Sequence, residues 1–445
     1  MASITSLDRA GAAEALAACS AVTKREIAAM LAELYPICRS LTGDGVRRTL
    51  SVIGRSVDLT IHEVPSGTRV FDWTVPKEWN IRDAYIKDAS GRRIVDFRKS
   101  NLHVVSYSIP VRARVSRNEL ATHVFTLPAH PDWVPYRTCY YNEDWGFCVS
   151  HRQWLQMTEP EYEVCIDSSL EHGSLTYGEA VIQGERPQEI LISCHICHPS
   201  LANDNLSGVV VATLLARHLR ALRLRYSYRF LFVPGTIGSL AWLSSNEHRL
   251  ARLRGGLVLA GLGDPGGFTY KRSRHGQSEI DRAATKALRD SGAQHTVIDF
   301  SPYGYDERQF CSPGFDLPVG CLMRTPHGRY PEYHTSADDL SFVKPEQIAA
   351  SLFICMEIIG VLEANRVFVN LSPKGEPQLG KRGLYRAIGG DAEGREREGA
   401  LLWTLNLADG RNDMLDIAER SGLPFAAVAA AAETLARHRL LKELS

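Results

Sequence analysis

The chain has 445 residues, of which 44% are hydrophobic, and its 51 basic side chains balance 51 acidic ones. A neutral chain has no overall attraction to nucleic acid or to an anionic membrane, so we expect a small-molecule or peptide partner. This length allows two or three domains, each with its own core.

The first residues lack the features of an export signal. Asp8 and Glu14 interrupt the stretch that would have to be apolar, and no basic start precedes it. No run in the sequence approaches the roughly 18 apolar residues of a membrane span. We therefore expect a cytoplasmic protein without a membrane partner, whose cysteines are reduced thiols.

Two kinds of pattern precede residue 187. Residues 23–57 have helical periodicity, whereas residues 58–151 are rich in aromatic and β-branched residues with turn signals between them. We interpret 58–151 as a β-rich inserted domain.

From residue 187 onward, short apolar runs alternate with helical segments, and these runs predict buried parallel strands. The predicted strands are 189–195, 228–234, 256–263, 295–300 and 317–323. This alternation predicts an α/β fold with a sheet covered by helices on both faces. Residues 1–57 and 152–370 would form this discontinuous domain.

The C-terminal residues 371–445 predict a winged helix-turn-helix domain, with a break at Ser421-Gly422-Leu423-Pro424. DNA binding is not expected, because acidic residues slightly outnumber basic ones in residues 375–445 and the second helix of the helix-turn-helix begins with Phe425 and a run of alanines. A packing or dimerisation module is favoured, and this domain and the insertion both offer surfaces for a homo-oligomer.

The stretch "SCHICHPSLANDNLSG" (193–208) allows three interpretations. Cys194 to His198 match the C-x-x-C-H pattern of covalent haem, but they end a predicted buried strand. Cys194 and Cys197 could bind zinc as thiolates, but no second pair exists and the two residues would point to opposite faces of a strand. The third interpretation is a catalytic metal site.

In this third interpretation, His195 leaves the carboxyl end of its strand and Asp204 precedes the next helix. His334 in "GRYPEYHTSADDL" is the best candidate for a third ligand, and Asp338 could orient a ligating imidazole. Two imidazoles and one carboxylate leave zinc an open position for water. His198 remains an alternative ligand or a neighbouring donor.

Several segments then resemble a bacterial family with an aminopeptidase-like domain, related to zinc-dependent aminopeptidases. They are "HICHPSLANDNLSG", "TIGSLAWLS", "YKRSR", "YDERQFCSPG", "RTPHGRYPEYHTSADDL" and, in the insertion, "HEVPSGTRVFDWTVPKEWNIRDAYI" and "YYNEDWGFC". The resemblance implies a zinc-exopeptidase-like mixed sheet. It also implies that His195 and His334 are the first and last metal histidines, and that Asp204 is the aspartate that bridges two zincs in the wider superfamily.

The sequence departs from that superfamily at three places. Cys197 replaces the aspartate of an H-x-D pair, Gly235 stands where a Glu-Glu pair is expected, and a further metal aspartate would fall near Ala260, with Asp264 as a substitute. These losses favour one zinc over two.

Because Gly235 cannot act as a base, another group must take the proton from water. Glu307 is our first candidate and Asp306 the second, and the alternative is that both form a structural ion pair with Arg308 or Arg324.

The leading hypothesis is a zinc-dependent amide hydrolase of aminopeptidase type that acts on a small peptide or peptide-like metabolite. Tyr305, His327 and Tyr333 would line its crevice and bind substrate. The alternative is a non-catalytic scaffold or binding protein, favoured by Gly235, and a DNA-binding regulator comes third.

Overall fold

The computed structural model describes residues 24–385 and 392–444. Its centre is an eight-stranded mixed sheet in which the four middle strands are parallel. A pair of strands joins them antiparallel on each side, and the strands within these pairs are antiparallel on one side and parallel on the other. In spatial order the strands are Thr60–Pro65, Ser174–Ile182, Ser227–Val233, Glu189–His195, Leu253–Leu259, Val319–Met323, Phe268–Lys271 and His295–Ile298. The predicted α/β fold with a mixed sheet is confirmed. Our interpretation of the first residues concerns 1–23, which lie outside the described residues.

Helices cover both faces of this sheet. Within the strand Glu189–His195 all side chains are buried, and Ile190 and Ile192 pack on one face while Leu191 packs on the other. The first face is covered by helices 24–34, Asp44–Gly54, Gly208–Arg220, Glu279–Ser291 and Pro345–Ala364. Ile237–Asn246 and Glu307–Phe310 contribute Trp242 and Phe310 to the core of the second face.

Our expectation that no run approaches the length of a membrane span was wrong for one segment: the helix Pro345–Ala364 is long and apolar enough, by length and composition alone, to cross a membrane. More than half of its apolar window, 56%, is buried inside the protein, and Ile354 and Ile358 belong to the main hydrophobic core. These features are typical of a core helix, and they explain the high hydropathy of the segment.

A second, four-stranded antiparallel sheet lies beside the main one. In spatial order it contains Arg93–Asp96, Glu78–Lys87, Glu161–Glu171 and Val111–Ser116, with the short helices Arg117–Thr122 and His151–Gln156 nearby in the chain. Its boundaries differ from the predicted 58–151. Thr60–Pro65 pairs with the main sheet, and Glu161–Glu171 belongs to the second one. Turn signals and β-propensity mark strands, but they do not say which sheet a strand joins.

Short strand pairs complete this region, Arg69–Val70 with Trp73–Thr74 and Val124–Phe125 with Phe147–Cys148. The core of the region also includes Cys197, Ile237 and Ala241 of the main domain. The inserted region therefore shares its hydrophobic core with the main domain.

The C-terminal domain is a winged helix with the helices Ala392–Leu407, Met414–Ser421 and Phe425–Arg437. Its sheet has the order Asp409–Asp413, Val367–Asn370 and Leu441–Glu443, so its central strand begins before the predicted boundary at 371. The turn between the last two helices has Gly422 in the left-handed region, with φ of 71°.

Candidate metal centre

The candidate centre lies at the carboxyl end of the main sheet. His195 is the last residue of a central parallel strand, and Asp204 lies in the irregular segment Ala202–Ser207 that leads into the helix Gly208–Arg220. Ligand sites form at this end of open α/β sheets because loops from several strands meet there. His195 and Asp204 are both buried.

The carboxylate of Asp204 lies between two imidazoles. His195 Nε2 is 2.8 Å from Asp204 Oδ1, and His334 Nε2 is 3.0 Å from Asp204 Oδ2. The structure thus brings together the three residues that we predicted as metal ligands.

A third imidazole joins this cluster. His198 Nδ1 lies 3.9 Å from Asp204 Oδ2, and the His198 ring is 4.9 Å from the ring of His195 and 5.1 Å from that of His334. Donor atoms of His195, His198 and Asp204 all lie within 4.8 Å of one another. Both His195 and His198 thus face the same carboxylate, and which of them would ligate a metal stays a prediction.

The protonation states suit a metal ion. Burial lowers the pKa of His198 to about 3, so its imidazole is neutral at physiological pH. Burial opposes ionisation of Asp204, but the imidazoles of His198, His195 and His334 hold its pKa well below the usual range. Neutral imidazole and ionised carboxylate are the forms that bind metals.

Polar atoms left without partners give an independent indication of a ligand. His198 Nδ1 is buried and has no hydrogen-bond partner. A buried polar atom without a partner costs about 1–3 kcal/mol, and native proteins rarely retain one without a reason. A cation held by these imidazoles would provide the missing partner, and the donor set fits zinc.

Asparagine 205 supports the first histidine. Asn205 Nδ2 donates to the carbonyl of Leu259 at 2.9 Å and lies 3.4 Å from His195 Nδ1, while Asn205 Oδ1 accepts from the N–H of Gly261 at 3.1 Å. Glycine is required at position 208, because a Cβ there would lie 2.4 Å from Asn205 Oδ1. The pattern "NDNLSG" contains both Asn205 and Gly208, but nothing in the pattern indicates that the two residues are in contact.

We predicted that Asp338 orients a ligating imidazole, but its carboxylate contacts the backbone instead. Its carboxylate accepts hydrogen bonds from the backbone N–H groups of Asn203 at 2.6 Å and Asp204 at 3.0 Å. Burial raises the pKa of Asp338 to about 8 despite these two hydrogen bonds, which lower it. Asp338 therefore holds the backbone that carries Asp204, while its neighbour Asp339 caps a turn at Ser341.

Asp264, our candidate for a substitute ligand, has both carboxylate oxygens engaged in hydrogen bonds. Its two oxygens accept from Asn203 Nδ2, from Thr325 N–H and Oγ1, and from Gly266 N–H, at distances of 2.6 to 3.1 Å. Among the residues that the structure describes, the donor cluster around His195 does not include it. The carboxylate of Asp264 instead ties two loops together.

Glu307 occupies a different environment from the one that a general base needs. Its Oε1 accepts from Lys271 Nζ at 2.7 Å, and the side chains of Glu307 and Lys271 are 0% and 4% exposed. The ion pair we considered as an alternative therefore exists, but its partner is Lys271 and neither Arg308 nor Arg324. Thirty-six positions separate the two residues, and no local pattern links them.

The other candidate base, Asp306, lies beside position 235. Ser239 Oγ donates to its Oδ1 at 2.9 Å, while its buried Oδ2 has no partner. A Cβ at Gly235 would lie 3.0 Å from His195 Cβ and 3.4 Å from Asp306 Oδ2. The Asp306 carboxylate thus borders the space that a side chain at position 235 would enter. Glu307 Oε2 is likewise buried without a hydrogen-bond partner, so the unpartnered oxygen does not separate the two acids, and their order as candidate bases stays a prediction.

The aromatic residues predicted to bind substrate lie beside the cluster. Tyr305 stacks on His195 with ring centres 5.2 Å apart, and Tyr333 stacks on His334 at 4.0 Å. His327 contacts Tyr305 at 5.1 Å, and its Nδ1 has no partner. The side chain of His334 is 33% exposed, so the cluster opens to solvent on this side. Substrate binding by these rings stays a prediction.

The cysteines of the motif are buried in separate cores. Cys194 packs with the main core and Cys197 with the core of the inserted region. Burial raises the pKa of Cys197 to about 12 and that of Cys194 well above its usual range. Thiols in this state are poor metal ligands and poor nucleophiles.

Sequence reasoning missed Tyr136 of the inserted region. Its ring packs edge-on against His198 at 5.4 Å and His334 at 5.1 Å. The only sequence signal is the aromatic richness of the insertion, which does not indicate a contact with two histidines that lie far from Tyr136 in the sequence.

With this geometry in place, comparisons with known proteins become informative. A protein of Clostridium acetobutylicum, described as a candidate polysaccharide biosynthesis protein with an aminopeptidase-like domain, is 50% identical over 423 residues, which cover 95% of this chain and 97% of that protein. The crystal structure of a candidate peptidase from the same organism aligns with a TM-score of 0.91 at 48% identity, covering 96% of this chain and 98% of that one.

A more distant structure shares the fold. BSAP, a zinc aminopeptidase from Bacillus subtilis, aligns with a TM-score of 0.56 at 14% identity, over 77% of this chain and 95% of that one. The fold and the cluster of imidazoles define an aminopeptidase-like α/β protein with a C-terminal winged helix.

Family matches cover both parts of the chain. The family described as a domain of unknown function (DUF4910) matches residues 28–365, and a winged helix-turn-helix family matches residues 366–443. The chain therefore belongs to the DUF4910 family.

Proposed function

We propose that this protein is a zinc-dependent amide or peptide hydrolase of aminopeptidase type, acting on a small peptide or peptide-like metabolite. One observation carries the proposal: His195, His198 and His334 surround the buried carboxylate of Asp204 at the carboxyl end of the sheet. The aminopeptidase-like fold supports it. The centre fits one zinc better than two, because the carboxylate of Asp264 accepts hydrogen bonds from Thr325 and burial keeps the thiol of Cys197 protonated.

Zinc at this position would supply Lewis acidity for hydrolysis, as it does at sites with imidazole and carboxylate ligands. The residues around it would accept a proton and hold the substrate. Asp306 Oδ2 has no hydrogen-bond partner and is free to accept a proton from the attacking water, while Ser239 fixes the other oxygen. Tyr305, His327 and Tyr333 border the open side of the cluster and would hold the substrate there.

The name of the Clostridium relative suggests where such a substrate would arise. We propose a small molecule with an amide bond that belongs to a polysaccharide pathway, handled in the cytoplasm without a membrane partner. The same protein could work as a homo-oligomer through its inserted region or its C-terminal domain.

A scaffold or binding role is the second candidate, and Gly235 favours it. In that case the fold and the metal would be kept without a catalytic base. DNA binding comes third. Phe425 begins the second helix of the helix-turn-helix, and its N–H donates to Asp290 of the main domain at 2.8 Å. DNA-binding domains of this type direct the start of this helix at base edges. Here the start of the helix contacts the main domain instead.

The test has two stages. Elemental analysis of purified protein should give about one zinc per chain, and His195→Ala and Asp204→Asn should lose it. His248→Ala, at an exposed histidine, is the matched control and should retain the zinc.

Activity is then measured on a panel of aminoacyl anilides and amide-bearing sugar derivatives. Cleavage that is lost in Asp306→Asn with zinc retained supports the enzyme. Bound zinc with no cleavage across the panel, and no effect of Asp306→Asn, would favour the scaffold.

A further inference from the structure

A segment of the inserted region, residues 134–136, runs along the loop that carries His334. The N–H of Tyr136 donates to the carbonyl of His334 at 2.8 Å, and the N–H of Ser336 donates to the carbonyl of Val134 at 2.8 Å. The N–H of Val134 donates to Ser336 Oγ at 2.9 Å. Three hydrogen bonds thus join the two segments, and Pro135 pairs with Thr335 as a β-bridge between them.

This contact matters because the backbone of His334 is strained. Its φ is 56°, in the left-handed region that residues other than glycine rarely adopt. Such a conformation costs about 1–3 kcal/mol and persists only where surrounding contacts enforce it. The hydrogen bond from Tyr136 to the His334 carbonyl is one of those contacts.

The side chain of Tyr136 adds a second constraint. Its ring, which is only 6% exposed, lies edge-on to the imidazoles of both His198 and His334. Tyr136 Oη lies 2.9 Å from Tyr140 Oη, so the far end of the ring is fixed as well. One aromatic side chain therefore limits the rotation of two candidate ligands.

Tyr136 is in turn anchored to the core of the inserted region. Tyr140 packs against Tyr107 at 5.6 Å, and Tyr107 stacks on Trp79 at 5.8 Å. Tyr107 and Trp79 are both buried, and Trp79 Nε1 donates to the carbonyl of Ser108 at 2.9 Å. A continuous set of aromatic contacts thus extends from the second sheet to the imidazoles.

We infer that the inserted region is a positioning element of the metal centre and that Tyr136 is its positioning residue. It supplies no ligand, and it holds His334 and His198 in the orientation that they need for a shared ion. The inference rests on the proposed metal centre, but its structural part, the fixing of the His334 loop by the insertion, can be measured without metal.

The test compares three variants. Tyr136→Leu removes the ring, Tyr136→Phe keeps the ring and loses only the hydroxyl, and Tyr162→Leu is a matched control. Tyr162 lies in the strand Glu161–Glu171 of the second sheet and is 2% exposed in the core of the inserted region. Its hydroxyl accepts from the N–H of Glu159 at 2.9 Å. Tyr162→Leu therefore weakens the inserted region without changing a contact of the cluster.

Zinc affinity is measured by competition with a chelator, and the ligand geometry by the visible absorption of the Co²⁺-substituted protein. Tyr136→Leu should bind zinc about 10- to 100-fold more weakly, as is typical when residues that orient ligands are lost. It should also change the Co²⁺ spectrum. Tyr136→Phe, which keeps the ring, should have the wild-type spectrum and affinity, and Tyr162→Leu should leave both unchanged.

Amide hydrogen exchange of residues 334–336 in metal-free protein gives the second readout. Faster exchange in Tyr136→Leu than in Tyr162→Leu is expected. Equal exchange in these two variants, or equal zinc affinity, would overturn the inference. If wild-type protein binds no zinc, the proposed function fails, and the exchange measurement still decides whether the insertion fixes this loop.

Discussion

The buried pair Lys271–Glu307 allows a sharp test of which acid serves catalysis. Its nitrogen and oxygen are 2.7 Å apart, with both side chains at most 4% exposed. At an effective dielectric constant of about 20, their Coulomb attraction is about 6 kcal/mol before the cost of removing both charges from water. Glu307→Gln keeps the shape of the side chain but leaves the ammonium of Lys271 without its counter-charge.

We expect Glu307→Gln to lower the free energy of unfolding by about 3–5 kcal/mol, as is typical when one partner of a buried ion pair is removed. The hydrogen bond from Lys271 Nζ to the carbonyl of Tyr303, at 2.8 Å, remains and limits the loss. The double variant Lys271→Met/Glu307→Leu removes both charges and should recover most of the stability. Urea unfolding followed by fluorescence measures all three proteins.

Activity of the same variants completes the test. If Glu307 is structural, the double variant keeps catalytic activity whenever it is folded, whereas Asp306→Asn loses about 10²- to 10⁴-fold. The reasoning is refuted if Glu307→Gln is as stable as wild type, or if a stable double variant is inactive while Asp306→Asn is active.

Three further predictions concern the centre itself. Burial raises the pKa of Asp306 to about 6, and a base must be ionised, so kcat/KM should fall as the pH drops below about 6; a profile that is flat through this range would contradict the role of Asp306. Asp338→Asn replaces one acceptor oxygen with an N–H donor beside two backbone N–H groups, and zinc affinity measured by chelator competition should fall about 10- to 100-fold, whereas Asp339→Asn should leave it unchanged. Gly235→Glu, which introduces the acid that the resemblance leads us to expect here, should lose activity and about 1–3 kcal/mol of stability, because its Cβ would lie 3.0 Å from His195 Cβ; a gain of activity in the hydrolysis assay would show that the space is larger than the structure indicates.

Much of the fold could be predicted from the sequence because local patterns carry it. Apolar runs such as "EILISCH" form central strands when both faces of a sheet are covered, and this strand is buried along its whole length. The convergence of His195 and Asp204 follows from the same rule, since the carboxyl ends of parallel strands meet at one edge. His334 was found through the polar loop before the last long helix and through the family resemblance.

The remaining features depend on contacts between distant segments. Thr60–Pro65 joins the main sheet, although its composition resembles that of the insertion. Lys271 is the partner of Glu307, whereas the sequence pointed to Arg308 or Arg324, which lie closer along the chain. Tyr136 reaches the imidazoles from the inserted region. Each of these depends on how packed elements are placed, which hydrophobic periodicity does not encode.

The most direct test of the central claim is the metal content of the purified chain, compared with that of Asp204→Asn. The carboxylate of Asp204 contacts His195 and His334 at 2.8 and 3.0 Å, so its loss should abolish binding. We predict about one zinc per wild-type chain after dialysis against trace zinc, and none in Asp204→Asn. A wild-type chain without bound metal under these conditions, or a variant that binds as much as wild type, would contradict the account.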